Sequence, residues 1–537
     1  MSLGKTPSQT GLFGSSARYC EERLSENSIY RFLHRESIRL FPDEGFADLF
    51  QDVGRCSIPP RIVAVVMTLQ RLEGCSDREA VDRFSYDLRW KYACGGLDYE
   101  YPGFVHTVLV DMRARLRRSD RPNRIFESVL DVAKAAGLVG RKRVLDSTAL
   151  YDAVATQDTV TLVRSAIRGL LRVAGGDLEN ELRGLLKRDD DYRSPGKPAC
   201  AWDDASAREA LVDALTIDAN HLLLCLNGRQ LAPDLEQAVT LLATVVGQDI
   251  ARGDDGIFRI VRGVAPDRVI STVDPEARHG HKTAARGFDG YKGHVSIDPD
   301  SEIIVNTVVT PGNAADGSVA KELLESDLGK NAPVNTGESE PATTDLSAPK
   351  EVPLVVYGDS SYGTADVIEH LESAGAEPNV KAQAPSAPAG KFGKDRFQID
   401  LSNRTVTCPA GALVQNRVAK DGAGIASFEA HCPSCPLRAD CTAAAEGRTI
   451  RIHPKEAVLQ RARKRQSAHS WKADYRAIRP KVERKLAHLV YRRHGGRRAR
   501  VRGCERIGHD FSLLGAAVNI RRLATLGVRH GAGGWTR

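Results

Sequence analysis

Short apolar runs alternate with long stretches of helical periodicity along this chain, and together they predict an α/β protein. Leu354, Val355, Val356 and Tyr357 form a β-branched and aromatic run closed by Gly358. That is the pattern of a strand buried on both faces, with Asp359 at its carboxyl end. Residues 143–149 repeat the grammar: a short apolar strand ending in Asp146. Ile62, Val63, Val65, Val66, Leu69 and Leu72 recur at helical spacing after Pro59-Pro60, and Ser76-Asp-Arg-Glu79 reads as a capping box. Residues 111–116 and 125–138 add two more helices, and residues 153–262 are again helical, interrupted by a polar break at 187–197. Residues 269–273, 290–297 and 303–309 read as strands, the last two joined by a tight turn at Asp298-Pro-Asp-Ser301. A helix at 316–328 follows. Residues 331–353 lack periodicity and read as a mobile loop; residues 383–393 read as a linker. Residues 476–486 form a helix whose stripe (Val482, Leu486, Leu489, Val490) borders Glu483.

Charge changes the picture. The 537 residues carry net +7, but residues 451–537 hold 23 Lys/Arg against 5 Asp/Glu, net +18, leaving 53 against 64, net −11, in the remainder. Such asymmetry points to an anionic partner, most simply nucleic acid. Arg113, Arg115, Arg117 and Arg118 extend that reading to the N-terminal helices. No apolar run reaches membrane-spanning length and the N-terminus has no signal-peptide core, so an intracellular protein without a membrane partner is expected.

Two sets of residues carry chemistry. Two strand-end aspartates and a helical glutamate (Asp146, Asp359 and Glu483) are the hard oxygen donors of a two-Mg²⁺ phosphoryl-transfer site. Each has a plainer reading: Asp146 capping a turn at Ser147-Thr148, Asp359 capping the helix near Thr364, Glu483 pairing with Arg479. Asp152, Asp158, Asp274, Asp289 and Asp298 compete as acids near the core, Asp274 most strongly. Cys408, Cys432, Cys435 and Cys441, spaced C-x23-C-x2-C-x5-C, suggest structural Zn²⁺, with reduced or redox-active thiols as the alternative. The other seven cysteines read as small buried hydrophobes.

The ordered set of Asp146, Asp359 and Glu483 resembles the DDE transposases of bacterial insertion sequences, nearest the IS1182-like group. Asp274–Lys282, Phe288–Asp298 and Thr310–Asp316 support the resemblance, which covers about residues 46–523. It implies an RNase H-like mixed-sheet core in which the three acids hold two Mg²⁺, with Mn²⁺ as a substitute. It implies a homodimer or larger assembly on double-stranded DNA that binds terminal inverted repeats, cuts, and joins the cut end to a target. A cytoplasmic, nucleoid-associated bacterial protein follows from it. The chain then divides into a disordered N-terminus (1–25), a helical N-terminal domain (26–140), the first core strand (141–152), a helical insertion (153–262), the RNase H-like core (263–395), a cysteine-rich, zinc-ribbon-like insertion (396–455) and a basic C-terminal part carrying the glutamate (456–537). Arg278, His279, Lys282, Lys292, Arg479, Arg492, Arg493, Arg497, Arg498 and Arg500 are the expected DNA contacts. In some insertion-sequence families a Tyr, Arg, Glu and Lys signature surrounds the glutamate. Arg479 and Glu483 fit it, Tyr475 falls one position early, and Val490 stands where the lysine is expected. Two other readings stay open: an RNase H-like nuclease without strand transfer, and a non-catalytic zinc-bearing DNA-binding protein.

Overall fold

Val144 and Leu145 are adjacent, so a strand sends them to opposite faces, and each is buried in a different hydrophobic cluster. They lie on β1 (Lys142–Tyr151), the central strand of the molecule. The computed structural model describes residues 1–5, 15–152, 156–283, 286–328, 352–385 and 390–537. The other strands of the main sheet are β2 (Arg278–Thr283), β3 (Arg286–Ile297), β4 (Ile304–Pro311), β5 (Val355–Gly358) and β6 (Glu377–Val380).

The sheet is mixed. β3 runs antiparallel to β1 and β4, while β5 runs parallel to β1 and β6. The spatial order is therefore β4-β3-β1-β5-β6, with β2 pairing the first residues of β3. The β1–β5 register covers only Lys142–Val144 against Val355–Tyr357. Asp146 stands two residues beyond that register and Asp359 one residue beyond β5, so both lie where the two parallel strands part. Ligands bind at such openings in α/β sheets.

The helices that position the site are α1 (Pro60–Glu73), α2 (Ala365–Ser373), α3 (Glu456–Ser467), α4 (His469–Ile478), α5 (Pro480–Leu489) and α6 (Cys504–Leu526). On one face α6 packs on β4 and on α1, and its Phe511 ring lies so close to Gly293 that a Cβ there would stand 2.7 Å from it. Leu33, Val63 and Phe126 of the N-terminal helices share one cluster with Val144, Val295 and Leu514. The opposite face buries Leu145 and Val356 against α2, α3 and the helix Ala320–Leu328. The expected capping box is present, with Ser76 Oγ accepting from the Glu79 N–H at 3.2 Å and Glu79 Oε2 accepting from the Ser76 N–H at 2.7 Å.

Several boundaries differ from the sequence expectations. β1 falls within the 141–152 expected for the first core strand, but Asp146 lies inside it and not at its end, because β3 pairs with it from Val144 to Tyr151. The helical stretch expected over 153–262 stops at Asp249 and gives way to a hairpin, Ile250–Arg252 with Phe258–Ile260. Helices Thr159–Ala174, Ala205–Leu226 and Pro233–Asp249 enclose a core of their own. Residues 269–273 form no strand: glutamine side chains take the place of a neighbouring strand, with the Val269 N–H donating to Gln248 Oε1 and the Thr272 N–H to Gln157 Oε1, both at 2.9 Å. Ser16–Glu21 is a short helix within the N-terminal stretch expected to be irregular. The loop read at 331–353 lies outside the described residues except for its last two, and the linker at 383–393 except for Gln383–Ser386's first three and its last four positions. The helix expected over 476–486 is two helices, since Pro480 has no N–H to continue α4 and instead opens α5. The cysteine-bearing segment forms two three-stranded sheets around Phe397, Val406, Phe428 and Ile450.

Candidate active site

Arg479 sits at the break between α4 and α5 and reaches all three candidate acids. Its Nη2 lies 3.0 Å from Asp146 Oδ2 and 3.9 Å from Asp359 Oδ2, and its Nη1 lies 3.4 Å from Glu483 Oε1. The side chain of Arg479 is 9% exposed, against 13% for Asp146, 40% for Asp359 and 67% for Glu483. Three acids from distant parts of the chain thus share one guanidinium, with Asp146 mostly buried and Glu483 at the rim.

Local structure fixes each group. Asp146 is held within β1, and its Oδ1 accepts from the Ser147 N–H at 2.8 Å; the strand runs on, so no turn is there to cap. Asp359 Oδ1 accepts from the Ser361 N–H at 2.9 Å, while Thr364 Oγ1 caps α2 through the Val367 N–H at 3.4 Å. The cap is therefore Thr364, and Asp359 Oδ2 is left facing Arg479. α4 grips β5 from above: Tyr475 Oη donates to the Gly358 carbonyl at 3.1 Å, and Tyr357 Oη donates to Asp474 Oδ2 at 2.7 Å. Trp471 stacks on Tyr475 with ring centroids 4.8 Å apart. These aromatic contacts set the height of Arg479 over the strand ends. The Tyr475–Arg479–Glu483 spacing of four residues, visible in the sequence, was their signal.

Burial pushes the Asp146 carboxyl up to about 6. Arg479 and the Ser147 N–H pull it back, and the neighbouring Asp359 charge pushes it further up. Asp146 and Asp359 thus face Arg479 in a partly dry site, and each carboxylate makes ionisation of the other less favourable.

Asp146 and Asp359 line a cavity of about 340 Å³ together with Lys282, Lys292, Phe288 and Asp316. Asp316, at the end of the segment Thr310–Asp316, is a fourth acid in this cavity that strand and helix patterns do not single out. Its Oδ2 accepts from Ser147 Oγ at 2.7 Å and its Oδ1 from Lys292 Nζ at 2.8 Å. The competing acids lie elsewhere. Asp274 is buried and accepts from Tyr291 Oη at 2.7 Å, Asp289 binds His279 Nδ1 at 2.7 Å, and Asp298 caps its own turn through the Asp300 and Ser301 N–H groups. Asp158 is the N-cap of helix Thr159–Ala174.

The expected DNA contacts divide into two groups. Arg278 is paired with Asp267 at 2.7 Å, His279 with Asp289, Lys292 with Asp316, and Arg479 with the acids, so these four are engaged within the protein. Lys282, Arg492, Arg493, Arg497, Arg498 and Arg500 are exposed. The basic loop that carries the last five is pinned at both ends of its course. The His494 ring meets the Leu72 carbonyl and Arg500 donates to the Cys75 carbonyl. The Tyr151 N–H donates to the Arg497 carbonyl and the Ala499 N–H to the Tyr151 carbonyl, each at 2.8 Å. Pairing with the end of β1 thus holds Arg497 and Arg498 beside the strand that bears Asp146.

Cys408, Cys432, Cys435 and Cys441 line a common cavity, and all four thiols are free. Among the described residues no group of three His, Cys, Asp or Glu is placed to hold a metal ion. Cys432 Sγ accepts from the Arg448 N–H at 3.3 Å. For the acids the position between them is taken by Arg479. No described helix is long and apolar enough to cross a membrane.

Comparison with known families adds two matches. Residues 407–524 match the family described as Transposase DDE domain, and residues 18–115 match the one described as Transposase domain (DUF772). Both support a DDE transposase family. No curated protein and no solved structure matches the chain.

Proposed function

We propose that this chain, whose two matched stretches support a DDE transposase family, binds the terminal inverted repeats of an insertion sequence of the IS1182-like type, cuts there and joins the cut end to a target. The observation that carries the proposal is the meeting of Asp146, Asp359 and Glu483 on the single guanidinium of Arg479. The strand order β4-β3-β1-β5-β6, antiparallel then parallel about β1, supports an RNase H-like reading of the core.

The donor set suits a divalent cation. Asp146 and Asp359 offer hard carboxylate oxygens at one opening of the sheet, and burial leaves Asp146 short of positive charge. Asp146 and Asp359, joined by Glu483, would hold Mg²⁺ or Mn²⁺, which when bound lowers the pKa of an attacking water or 3′-hydroxyl and stabilises the leaving oxygen. Arg479, which lies against the acids, would be the guanidinium nearest a phosphate bound there. Lys282 faces the same cavity as the aspartates and neutralises a phosphate entering it, while Arg497 and Arg498 hold the flanking backbone. On DNA the protein acts as a dimer or larger assembly, at the nucleoid in the cytoplasm. No zinc-dependent step is part of this reading.

The test is Mg²⁺-dependent cleavage of supercoiled DNA carrying the flanking repeats, with Asp359→Ala alongside. Cutting at the repeat ends by the wild type alone supports the reading, and equal cutting by both removes Asp359 from the site. A strand-joining assay on pre-cut ends then separates a transposase from a nuclease.

A further inference from the structure

A second cavity, of about 290 Å³, lies where the helix Thr107–Arg118 and α1 meet α6. Its floor is apolar, formed by Met67, Leu116, Phe126 and Leu513, but its rim is strongly basic. Some of that charge is already balanced. Arg71 Nε is 3.0 Å from Asp510 Oδ2, and Arg113 Nη2 is 2.5 Å from Asp77 Oδ2. Arg500 donates to the Cys75 carbonyl, and His509 Nδ1 lies 3.0 Å from Asn123 Oδ1.

Arg117 and Arg506 differ from these. Both line the cavity, and neither side chain makes a hydrogen bond or an ion pair with a described residue. Arg117 is partly buried on the helix Thr107–Arg118, and Arg506 lies on the first turn of α6. Burial and the positive charge of Arg506 both lower the pKa of Arg117, and only Glu505 noticeably opposes them. Arg117 and Arg506 thus face one cavity as like charges, with Glu505 as the opposing acid, and an anion bound between them relieves their repulsion.

We infer that this cavity is an oxyanion site, taking a phosphate group between Arg117 and Arg506. Guanidinium forks match phosphate oxygens in geometry and charge. The phosphate can belong to a DNA backbone or to a free phosphate or phosphomonoester, and one set of variants tells these apart. The inference does not depend on the DNA-cutting reading, since the cavity shares no residue with the carboxylate site.

The full chain is compared with Arg117→Gln, Arg506→Gln and the double variant by thermal unfolding, first without phosphate at low salt. Because the two arginines repel each other and their side chains make no described bonds, each variant is expected to unfold at the same temperature as the wild type or a few degrees higher. Inorganic phosphate at millimolar concentration, and separately a short DNA duplex, are then titrated. The expected result is that phosphate raises the wild-type midpoint and not that of the double variant. If the site serves DNA, duplex affinity falls in the double variant, and the slope of log K against log salt drops by roughly 2 for the two lost contacts. If it serves a small phosphate, duplex binding is unchanged while the phosphate response is lost. Equal responses of wild type and double variant to both ligands would overturn the inference. Variants that unfold at clearly lower temperature without phosphate would overturn it too, since the arginines would then be structural. Cleavage by these variants, read beside Asp359→Ala, keeps a failure here separate from a failure of the cutting site.

Discussion

Arg479 Nη2 lies 3.0 Å from Asp146 Oδ2, and both side chains are largely buried. Removing one member of a buried pair leaves the other charge stranded, at a cost of about 3–5 kcal/mol. Arg479→Ala should therefore lose about 3 kcal/mol in urea unfolding with chelator present. Mg²⁺ should restore more stability to the variant than to the wild type, because the cation then meets no competing guanidinium. A loss below about 1 kcal/mol with no response to Mg²⁺ would mean that the pair does not hold the acids together.

The basic loop gives a DNA-binding prediction of its own. Arg497 and Arg498 are exposed, and their backbone is tied to the end of β1. Replacing both with Ala should weaken duplex binding on any sequence and lower the salt slope by roughly 2. The fold should be unaffected, as circular dichroism would show. A lost preference for the repeats with an unchanged slope would place these arginines on bases instead.

His294 gives a pH prediction. It is buried on β3, with Nδ1 3.2 Å from Tyr362 Oη and Nε2 2.9 Å from Thr310 Oγ1. Burial lowers its pKa to about 4, well below about 6.5 for an exposed histidine. Between those values the unfolded chain binds the proton and the folded one does not, so stability falls as pH falls. The loss reaches about 3 kcal/mol by pH 4. Urea unfolding of wild type and His294→Gln from pH 7 to 4 should show the extra slope in the wild type alone, and parallel curves would refute the assignment.

The turn that presents Asp359 depends on Gly363. A Cβ added there would collide with the backbone carbonyl of Lys381, which no side-chain rotation relieves. Gly363→Ala should destabilise the protein by about 2–4 kcal/mol and reduce cleavage more than duplex binding. Unchanged unfolding midpoints would show that the turn and β6 can part without cost.

Sequence alone determined the parts whose physics is local. The apolar runs at Val144–Leu145 and Leu354–Tyr357 became adjacent strands, because runs of that kind lose little by being buried on both faces. Ser76 and Glu79 formed their capping box, which needs only each other and the helix backbone. The tertiary structure decided what depends on neighbours. Asp146 is inside a strand because β3 pairs past it, and residues 269–273 are not a strand because glutamines took their backbone hydrogen bonds. Arg479, read as a DNA contact, lies among the acids because α4 is clamped to β5 by Tyr475 and Tyr357 and ends at Pro480. Asp316 entered the cavity only through the pairing of β3 with β1 and β4, which brings Lys292 and Ser147 to it. Periodicity reports which face of an element is apolar. Which charges share a desolvated space depends on contacts between residues hundreds of positions apart, and only the folded chain sets those.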